Sequence, residues 1–280
     1  MTNNASATWF ITGASAGFGL AFTRYALDRG YRVVATARRP AKLDDLAAAH
    51  PERLCVVRLD VTSPAESQAA VQAAVRRFGS IDVLINNAGY GTVGAVEETP
   101  LDELRAQMET NFFGAFNVIQ AALPQLRAQR SGAIVNISSL GGQLSYGGFG
   151  AYSASKFALE GLSEALAQEM APFGVKVMIV EPGAFRTDFA GGALKQMPVL
   201  DAYRDVVGEI RSFAAGMHET QAGDPAKAAA AIDQAVAAAE PPLRLQLGED
   251  AVTAVRAHAE QLLKDLEAWA PVALETKFEA

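Results

Sequence analysis

Cysteine is almost absent from this chain. The single one among 280 residues, Cys55, lies in the apolar run "LCVVRLD" and has no partner for an internal disulfide, so it reads as a buried, inert thiol. Histidine is nearly as scarce. His50, His218 and His258 are scattered, no Cys/His cluster has zinc spacing, and no metal is expected. Long apolar runs are missing as well. No stretch reaches the ~18 uninterrupted apolar residues that a membrane span requires. The opening "MTNNASATWF" has neither the basic start nor the apolar core of a signal peptide, so the expected location is cytoplasmic. Positive charge is in deficit, at a formal net charge of −7. That argues against a nucleic-acid partner, because phosphate binding needs clustered Lys and Arg. Arg38 and Arg39 are the nearest thing to a basic site, and any anion they bind should be small.

What the chain does have is ample apolar material, 50% of its residues, arranged in alternating patterns. Short β-rich runs at 8–12, 32–37, 54–61, 81–87, 132–138 and 175–182 are nearly continuous in Val, Ile and Leu, as suits strands buried on both faces. Helical patterns at 17–30, 64–78, 100–129 and 151–171 separate them. The alternation predicts an α/β fold: a doubly wound (Rossmann) parallel sheet with helices on both faces and right-handed crossovers. After Pro182 the pattern loosens, and 184–222 carries many apolar residues without a clean strand. Asp224 as N-cap and Pro225 at the first helical position start another helix, "LRLQLG" (243–248) offers a last strand, and Val252, Val255, Ala259, Leu262, Leu266 and Trp269 sit at helical spacing. Pro271 should end that helix. No repeat or linker divides the chain, so residues 1–280 are expected to form one domain. Its core would span about 8–190, with a substrate lid at about 184–222 and a C-terminal helix–strand–helix at about 224–270.

"TGASAGFG" (12–19) joins the first strand to the first helix. Gly13, Gly17 and Gly19 allow a sharp turn and a close approach of backbone to a pyrophosphate. The helix start behind them offers free N–H groups and a positive dipole end. The spacing is G-x-x-x-G-x-G. With "NNAG" (86–89), "NFFG" (111–114), "NISS" (136–139), "YSASK" (152–156) and "PGAFRT" (182–187) following in order, the chain resembles the short-chain dehydrogenases/reductases from about residue 8 to 190.

The end of the second strand should select the dinucleotide. An acidic residue there would bind the adenosine ribose and repel a 2′-phosphate. Here the stretch is "VVATARRP": Ala37 offers no carboxylate, and arginines can meet a phosphate with a two-pronged contact. NADP(H) is therefore predicted, with Arg38 first and Arg39 as its helper; the alternative is that both are solvated surface charges. Ala16 stands where many NADP-dependent relatives carry a basic residue or serine. The resemblance implies further cofactor contacts. These come from Ser15 and Phe18 in the glycine loop, from Asp60 and the Val61 backbone at the adenine, and from Asn87, Ala88 and Gly89 under the adenosine ribose. At the nicotinamide they come from Pro182, Gly183, Phe185 and Thr187. Asp60 and Thr187 could equally cap the next element.

Tyr152 and Lys156 stand four apart, on one helical face. The pair alone is weak: six tyrosines and 24 Lys plus Arg give about half a chance match at this spacing, and Tyr25 with Arg29 also fits. Context selects Tyr152, because a strand ending in Ser138 and Ser139 precedes it, and ligands of parallel sheets gather at strand carboxyl ends. The resemblance picks Ser139 as the catalytic serine, with Ser138 the alternative. An ionised phenol at pH 7 costs about 4 kcal/mol. An ammonium ~4 Å away returns about that much in gross Coulomb energy at an effective dielectric of ~20, so Lys156 is expected to make Tyr152 more acidic. In the family this lysine also holds the nicotinamide ribose. Ser139 would stabilise a developing alkoxide. Asn111 matches the family's fourth member, which holds a water linking the lysine to solvent. Its other reading is a helix distortion sealed by a side-chain hydrogen bond. A serine nucleophile would need a histidine and an acid, and no histidine sits at a suitable strand end.

The expected activity is hydride transfer between NADP(H) and a small-molecule carbonyl or alcohol. Tyr90, Val93, Leu144, Tyr146, Phe149, Phe185 and Phe189 favour an apolar or aromatic substrate. A dinucleotide-binding sensor of the same fold is the alternative, against which the complete Ser139, Tyr152 and Lys156 set argues. A homo-oligomer, dimer or tetramer, is implied by the resemblance, through the helices at 100–129 and 151–171.

Overall fold

The computed structural model describes residues 7–217 and 219–278; His218 and the first six residues lie outside the described part. The elements run β1 (Thr8–Ile11), α1 (Gly17–Asp28), β2 (Arg32–Ala37), α2 (Asp44–Ala49), β3 (Leu54–Arg58), α3 (Pro64–Phe78), β4 (Val83–Asn86), β5 (Gly91–Val93), α4 (Leu101–Met108), α5 (Gly114–Gln129), β6 (Ala133–Ile137), α6 (Gly150–Met170), β7 (Lys176–Pro182), β8 (Leu194–Gln196), α7 (Arg204–Gly216), α8 (Pro225–Ala237), β9 (Arg244–Leu247) and α9 (Glu249–Leu274).

Seven strands form one sheet in the order β3-β2-β1-β4-β6-β7-β9, every pairing parallel. Burial on both faces explains the unbroken Val/Ile/Leu runs. Successive strand residues feed opposite cores. Trp9, Ile11, Val33, Ala35, Val83 and Ile85 pack with Phe22 and Leu27 of α1 and Ile232 of α8 on one side. Phe10, Val34, Leu84 and Ile134 meet Val71 of α3, Val118 of α5 and Leu166 of α6 on the other. The order in which strands are added reverses between β1 and β4, which opens a crevice at their carboxyl ends.

Three expectations are corrected. The helical pattern over 100–129 is not one helix: Glu109–Phe113 forms a π-helical turn between α4 and α5, the wider winding that recurs where a side chain must be re-aimed. The segment after Pro182 is more ordered than its pattern suggested. Its β8 pairs in parallel with β5 in a separate two-stranded sheet, and α7 carries an amphipathic face. Finally, Pro271 does not end α9, which continues to Leu274. Proline there removes one N–H from the ladder on an exposed turn, where water can serve the freed carbonyl. Asp224 caps α8 as its residue type requires, accepting from the Ala226 N–H at 2.8 Å.

Candidate active site

The glycine loop leaves β1 and enters α1 through two residues with left-handed backbone, Gly13 (φ 66°) and Gly17 (φ 50°), which favour glycine. Gly19 is required for a different reason. A side chain there would collide with the Gly13 carbonyl and come within 2.7 Å of Asn87 Nδ2. No side chain caps the N-terminus of α1, and its first turn holds no acidic residue. An uncapped helix start of this kind favours an anion. Ser15 lies half-buried on it, and Phe18 stacks on Phe22 and meets Phe185 at a centroid distance of 5.2 Å.

Thr12, absent from the expected set, braces the loop to the next crossover. Its Oγ1 accepts from the N–H groups of Asn87 (2.9 Å) and Ala88 (3.0 Å), and its carbonyl accepts from Asn87 Nδ2 (2.9 Å). Asn87 and Ala88 are thereby fixed beside the glycines. Gly89 lies against Asn111 and Lys156, since a side chain there would stand 3.0 Å from Asn111 Oδ1 and 3.8 Å from Lys156 Nζ.

Arg38 and Arg39 follow β2 directly and are exposed; among the described residues neither forms an ion pair. Asp60 accepts at Oδ1 from the N–H and hydroxyl of Thr62, the local turn-forming role, and Val61 is buried with its carbonyl held by Asn117. Thr187 sits across from the loop, its Cβ 3.5 Å from where a side chain on Gly17 would begin, and its Oγ1 accepts from the Phe189 N–H. Arg186, Thr187, Asp188 and Glu219 line a cleft of about 350 Å³ there. Two expectations at this end change. Phe185 is buried against Phe18, so its ring serves packing. Beside Pro182, the space a Gly183 side chain would fill is taken by the Asp250 carboxylate, which accepts from the Ala184 N–H at 2.7 Å. Gly183 therefore makes room for the start of α9.

Four side chains converge at the ends of β4 and β6. Ser138 and Ser139 point apart. Ser138 Oγ is turned towards Glu160, and a side chain on Gly142 would strike both; one on Gly141 would stand 3.4 Å from both Ser139 Oγ and Tyr152 Cε1. The choice of Ser139 over Ser138 is thus a consequence of strand alternation. Lys156 is buried, donates to the Ile137 carbonyl at 2.8 Å, and lies 5.8 Å from the Tyr152 ring centroid. The geometry of Asn111 matches its reading as a sealed helix distortion. It sits in the π-helical turn with its side chain sealing that distortion: Oδ1 accepts from the Tyr90 N–H (3.0 Å), and Nδ2 donates to the Tyr90 carbonyl (2.9 Å) and to Ser155 Oγ (3.0 Å). That Ser155 hydroxyl donates to the Tyr152 carbonyl at 2.7 Å.

The titration of the pair departs from expectation. Burial pushes the Tyr152 hydroxyl up to about 12, opposed by its hydrogen bond with Ser139. Burial also pushes Lys156 down to about 8, opposed by the Glu160 charge. Desolvation is the leading cause of both shifts, disfavouring the ionised phenol and the ammonium alike. Beneath Lys156 lies a polar cluster that the motifs did not reveal. Arg244 donates to Glu160 (2.9 Å) and to Glu164 (2.6 Å) and approaches the fully buried Glu181 at 3.3 Å. Burial raises Glu160 to about 7. Its four-residue spacing from Lys156 was the available signal.

The chain after Pro182 packs over this group. Its neck is the bridge between Phe185 and Gly223. Phe189 packs on the Tyr152 ring at 5.7 Å, with Phe149 on another side at 6.5 Å. Arg211 of α7 binds the buried Glu98 at 2.6 Å, and Lys195 of β8 binds Glu103 at 2.8 Å while lying 4.5 Å over the Tyr90 ring. Val93 is fully buried, so of the expected pocket residues it belongs to the core; Tyr146 is exposed, and Leu144 is partly so.

A parallel sheet with a glycine loop at its crevice, and a Ser/Tyr/Lys group at neighbouring strand ends, defines a dinucleotide-dependent oxidoreductase architecture. The model of the short chain dehydrogenase family matches residues 7–198, and the chain belongs to that family of oxidoreductases. It is 42% identical to an oxidoreductase of Botryotinia fuckeliana, over 95% of this chain and 97% of the relative. It is 39% identical to a 3-ketodihydrosphingosine reductase of Bacteroides thetaiotaomicron, over 85% of this chain and 86% of the relative. The crystal structure of a short-chain dehydrogenase from Streptomyces avermitilis superposes with a TM-score of 0.92 at 48% identity, covering 98% of this chain and 99% of that one. A Burkholderia phymatum member of the fold, solved with NAD, superposes with a TM-score of 0.81 at 24% identity, over 95% of this chain and 97% of that one. Among the described residues no helix is long and apolar enough to cross a membrane.

Proposed function

We propose that residues 1–280 act as one domain that catalyses NADP(H)-dependent interconversion of an apolar or aromatic carbonyl compound and its alcohol, in the cytoplasm and as a homo-oligomer. The observation that carries this reading is the convergence of Ser139, Tyr152, Lys156 and Asn111 at the strand ends beside the glycine loop, under an aromatic lid. The residues fit a dinucleotide. Gly13, Ser15, Gly17, Phe18 and Gly19 with the uncapped α1 terminus would hold the pyrophosphate. Asp60, Val61, Asn87, Ala88 and Gly89 would hold the adenosine, and Lys156, Pro182 and Thr187 the nicotinamide end. Arg38 and Arg39 would take a 2′-phosphate, supported by their exposure and by the missing carboxylate at Ala37.

When bound, the reduced cofactor supplies hydride to the carbonyl carbon. Tyr152 donates its hydroxyl proton to the carbonyl oxygen, and Ser139 donates a hydrogen bond to the same oxygen. Lys156, held by Ile137, holds the ribose and favours the phenolate left by proton loss. Asn111 keeps the π-helical turn open, so that a water can return the proton through Lys156. Phe149 and Phe189 flank Tyr152 and exclude bulk water from the transfer. The name of the Bacteroides relative offers one concrete example of an apolar ketone.

The test is a cofactor-oxidation screen of purified protein against apolar ketones and aldehydes with NADPH and NADH. Turnover with NADPH at least about tenfold more efficient than with NADH is expected, and Arg38→Ala should remove that preference. Equal use of both cofactors by the unmodified protein would defeat the Arg38 assignment.

A further inference from the structure

α9 departs from the body of the protein. Its first three turns are anchored: Ala251 is buried, Val255 and His258 are half-buried, and Asp250 holds the Ala184 N–H. Beyond Ala259 nearly every residue is exposed, including the large apolar ones: Leu262 is 55% exposed, Leu263 60%, Leu266 66%, Trp269 69% and Val272 59%. An isolated helix with this much bare apolar surface is unfavourable in water.

The exposed Val252, Ala259, Leu262, Leu266, Trp269 and Ala273, with the half-buried Val255, follow a pattern: they are spaced 3, 4, 3, 4, 3 and 4 apart, the seven-residue repeat of a coiled-coil seam. Leu263 and Val272 flank that seam and widen it. These exposed side chains present on the order of 600 Å² per copy, so that a pair covering them buries about 1,200 Å², the lower end of stable specific interfaces. The seam is also complementary to itself in size. A parallel pairing would set Trp269 on Trp269 and leave gaps at the Ala259 and Ala273 layers. An antiparallel pairing about Lys264 sets the Trp269 of each copy over Ala259 of the other, Leu262 against Leu266, and Val255 against Ala273. The charge on α9 disfavours an anionic lipid surface, because five acidic residues face only Arg256 and Lys264 where such surfaces select basic helices.

We propose that α9 is a dimerisation arm, pairing antiparallel with α9 of a second copy about a two-fold axis near Lys264. This contact is separate from the α5 and α6 faces and leaves the catalytic group untouched. A two-fold contact is self-complementary by construction, as this seam is.

Two experiments on the full chain test it. Sedimentation equilibrium should give Leu266→Glu half the mass of the unmodified protein, or a dimer weakened at least about a hundredfold, with its turnover unchanged. In a Cys55→Ser background, Asp265→Cys should form a disulfide-linked dimer on mild oxidation, because residue 265 meets its own copy across the antiparallel axis. Ala259→Cys should not, because that layer meets itself only in a parallel pair. Unchanged mass for Leu266→Glu would overturn the proposal, as would cross-linking at 259 in place of 265. Stripe-dependent co-sedimentation with phosphatidylglycerol vesicles, without self-association, would assign the face to lipid and overturn it too. Should Leu266→Glu fail to fold, the cross-linking pair decides alone.

Discussion

The chain before Pro182 and the chain after it bury themselves in contrasting ways. Before Pro182, strands lie between two helical layers, and the polar side chains of the active region are tied to backbone: Thr12 to Asn87 and Ala88, Asn111 to Tyr90, Lys156 to Ile137. After it, the segment 184–222 holds on through a short parallel ribbon and a few ion pairs such as Arg211–Glu98 and Lys195–Glu103, and α9 leaves the body after its anchored first turns. The first region ties its polar groups to backbone. The second is held by fewer contacts and leaves more apolar surface exposed. Glu98 shows how the two join. Burial pushes its pKa up, but the N–H groups of Leu200 and Ala95 and the Arg211 guanidinium together hold it below the usual carboxylate value, so the lid is clamped by a charge that stays ionised.

Perturbing the first region should abolish chemistry, and perturbing the second should only modulate it. Tyr152→Phe carries the largest expected effect, a fall in kcat of about a thousandfold, with cofactor affinity by fluorescence titration changed less than about twofold. Gly19→Ala comes next. Its methyl group meets the Gly13 carbonyl and the Asn87 amide, so a loss of about 1–3 kcal/mol in unfolding free energy and a weakening of cofactor binding are expected in denaturant and binding titrations. Phe189→Ala, in the lid, should raise the substrate KM severalfold with kcat nearly preserved in steady-state kinetics, because its ring packs on Tyr152 without reaching backbone. A larger loss in kcat than for Tyr152→Phe would reverse the contrast.

The smallest effect concerns the cluster below Lys156. Burial raises Glu160 in the folded protein to about 7 from an ordinary 4.5. Its neutral form is the one that folding favours. The associated stability is therefore fully present below about pH 4.5 and lost as pH rises through 7. The melting temperature of the unmodified protein, relative to Glu160→Gln, should fall by a few degrees between pH 5 and 8. A difference that rises or stays level across that range would show that Glu160 is ionised in the folded state throughout.

The contrast between regions also governs what the sequence made legible. Strands β2 and β7 and helix α3 were readable to within a residue, because burial on both sheet faces and the Ser63–Pro64 start of α3 leave local signals. The grouping of Ser139, Tyr152 and Lys156 was readable as a motif, whereas the titration of Tyr152 and Lys156 depends on their burial, which no local pattern encodes. Thr12 and the Glu160–Glu181–Arg244 cluster were missed because their roles arise from partners distant in sequence. Phe185 and Gly183 have aromatic and glycine signals suited to a ligand, but tertiary packing against Phe18 and Asp250 accounts for both. Past Pro182, β8 and α7 lacked the strong periodicity of the core, since they are only partly covered. Pro271 misled because an exposed final turn tolerates what an interior turn does not.

The central claim is that Tyr152 supplies a proton while a bound nicotinamide supplies a hydride. The most direct measurement reduces a turnover-competent apolar ketone with NADPH deuterated at the transferable position and follows the label by mass spectrometry. The unmodified enzyme should place one deuterium on the carbinol carbon, and Tyr152→Phe, loaded with the same cofactor, should do so about a thousandfold more slowly. Equal rates of label transfer by the two proteins would contradict the account.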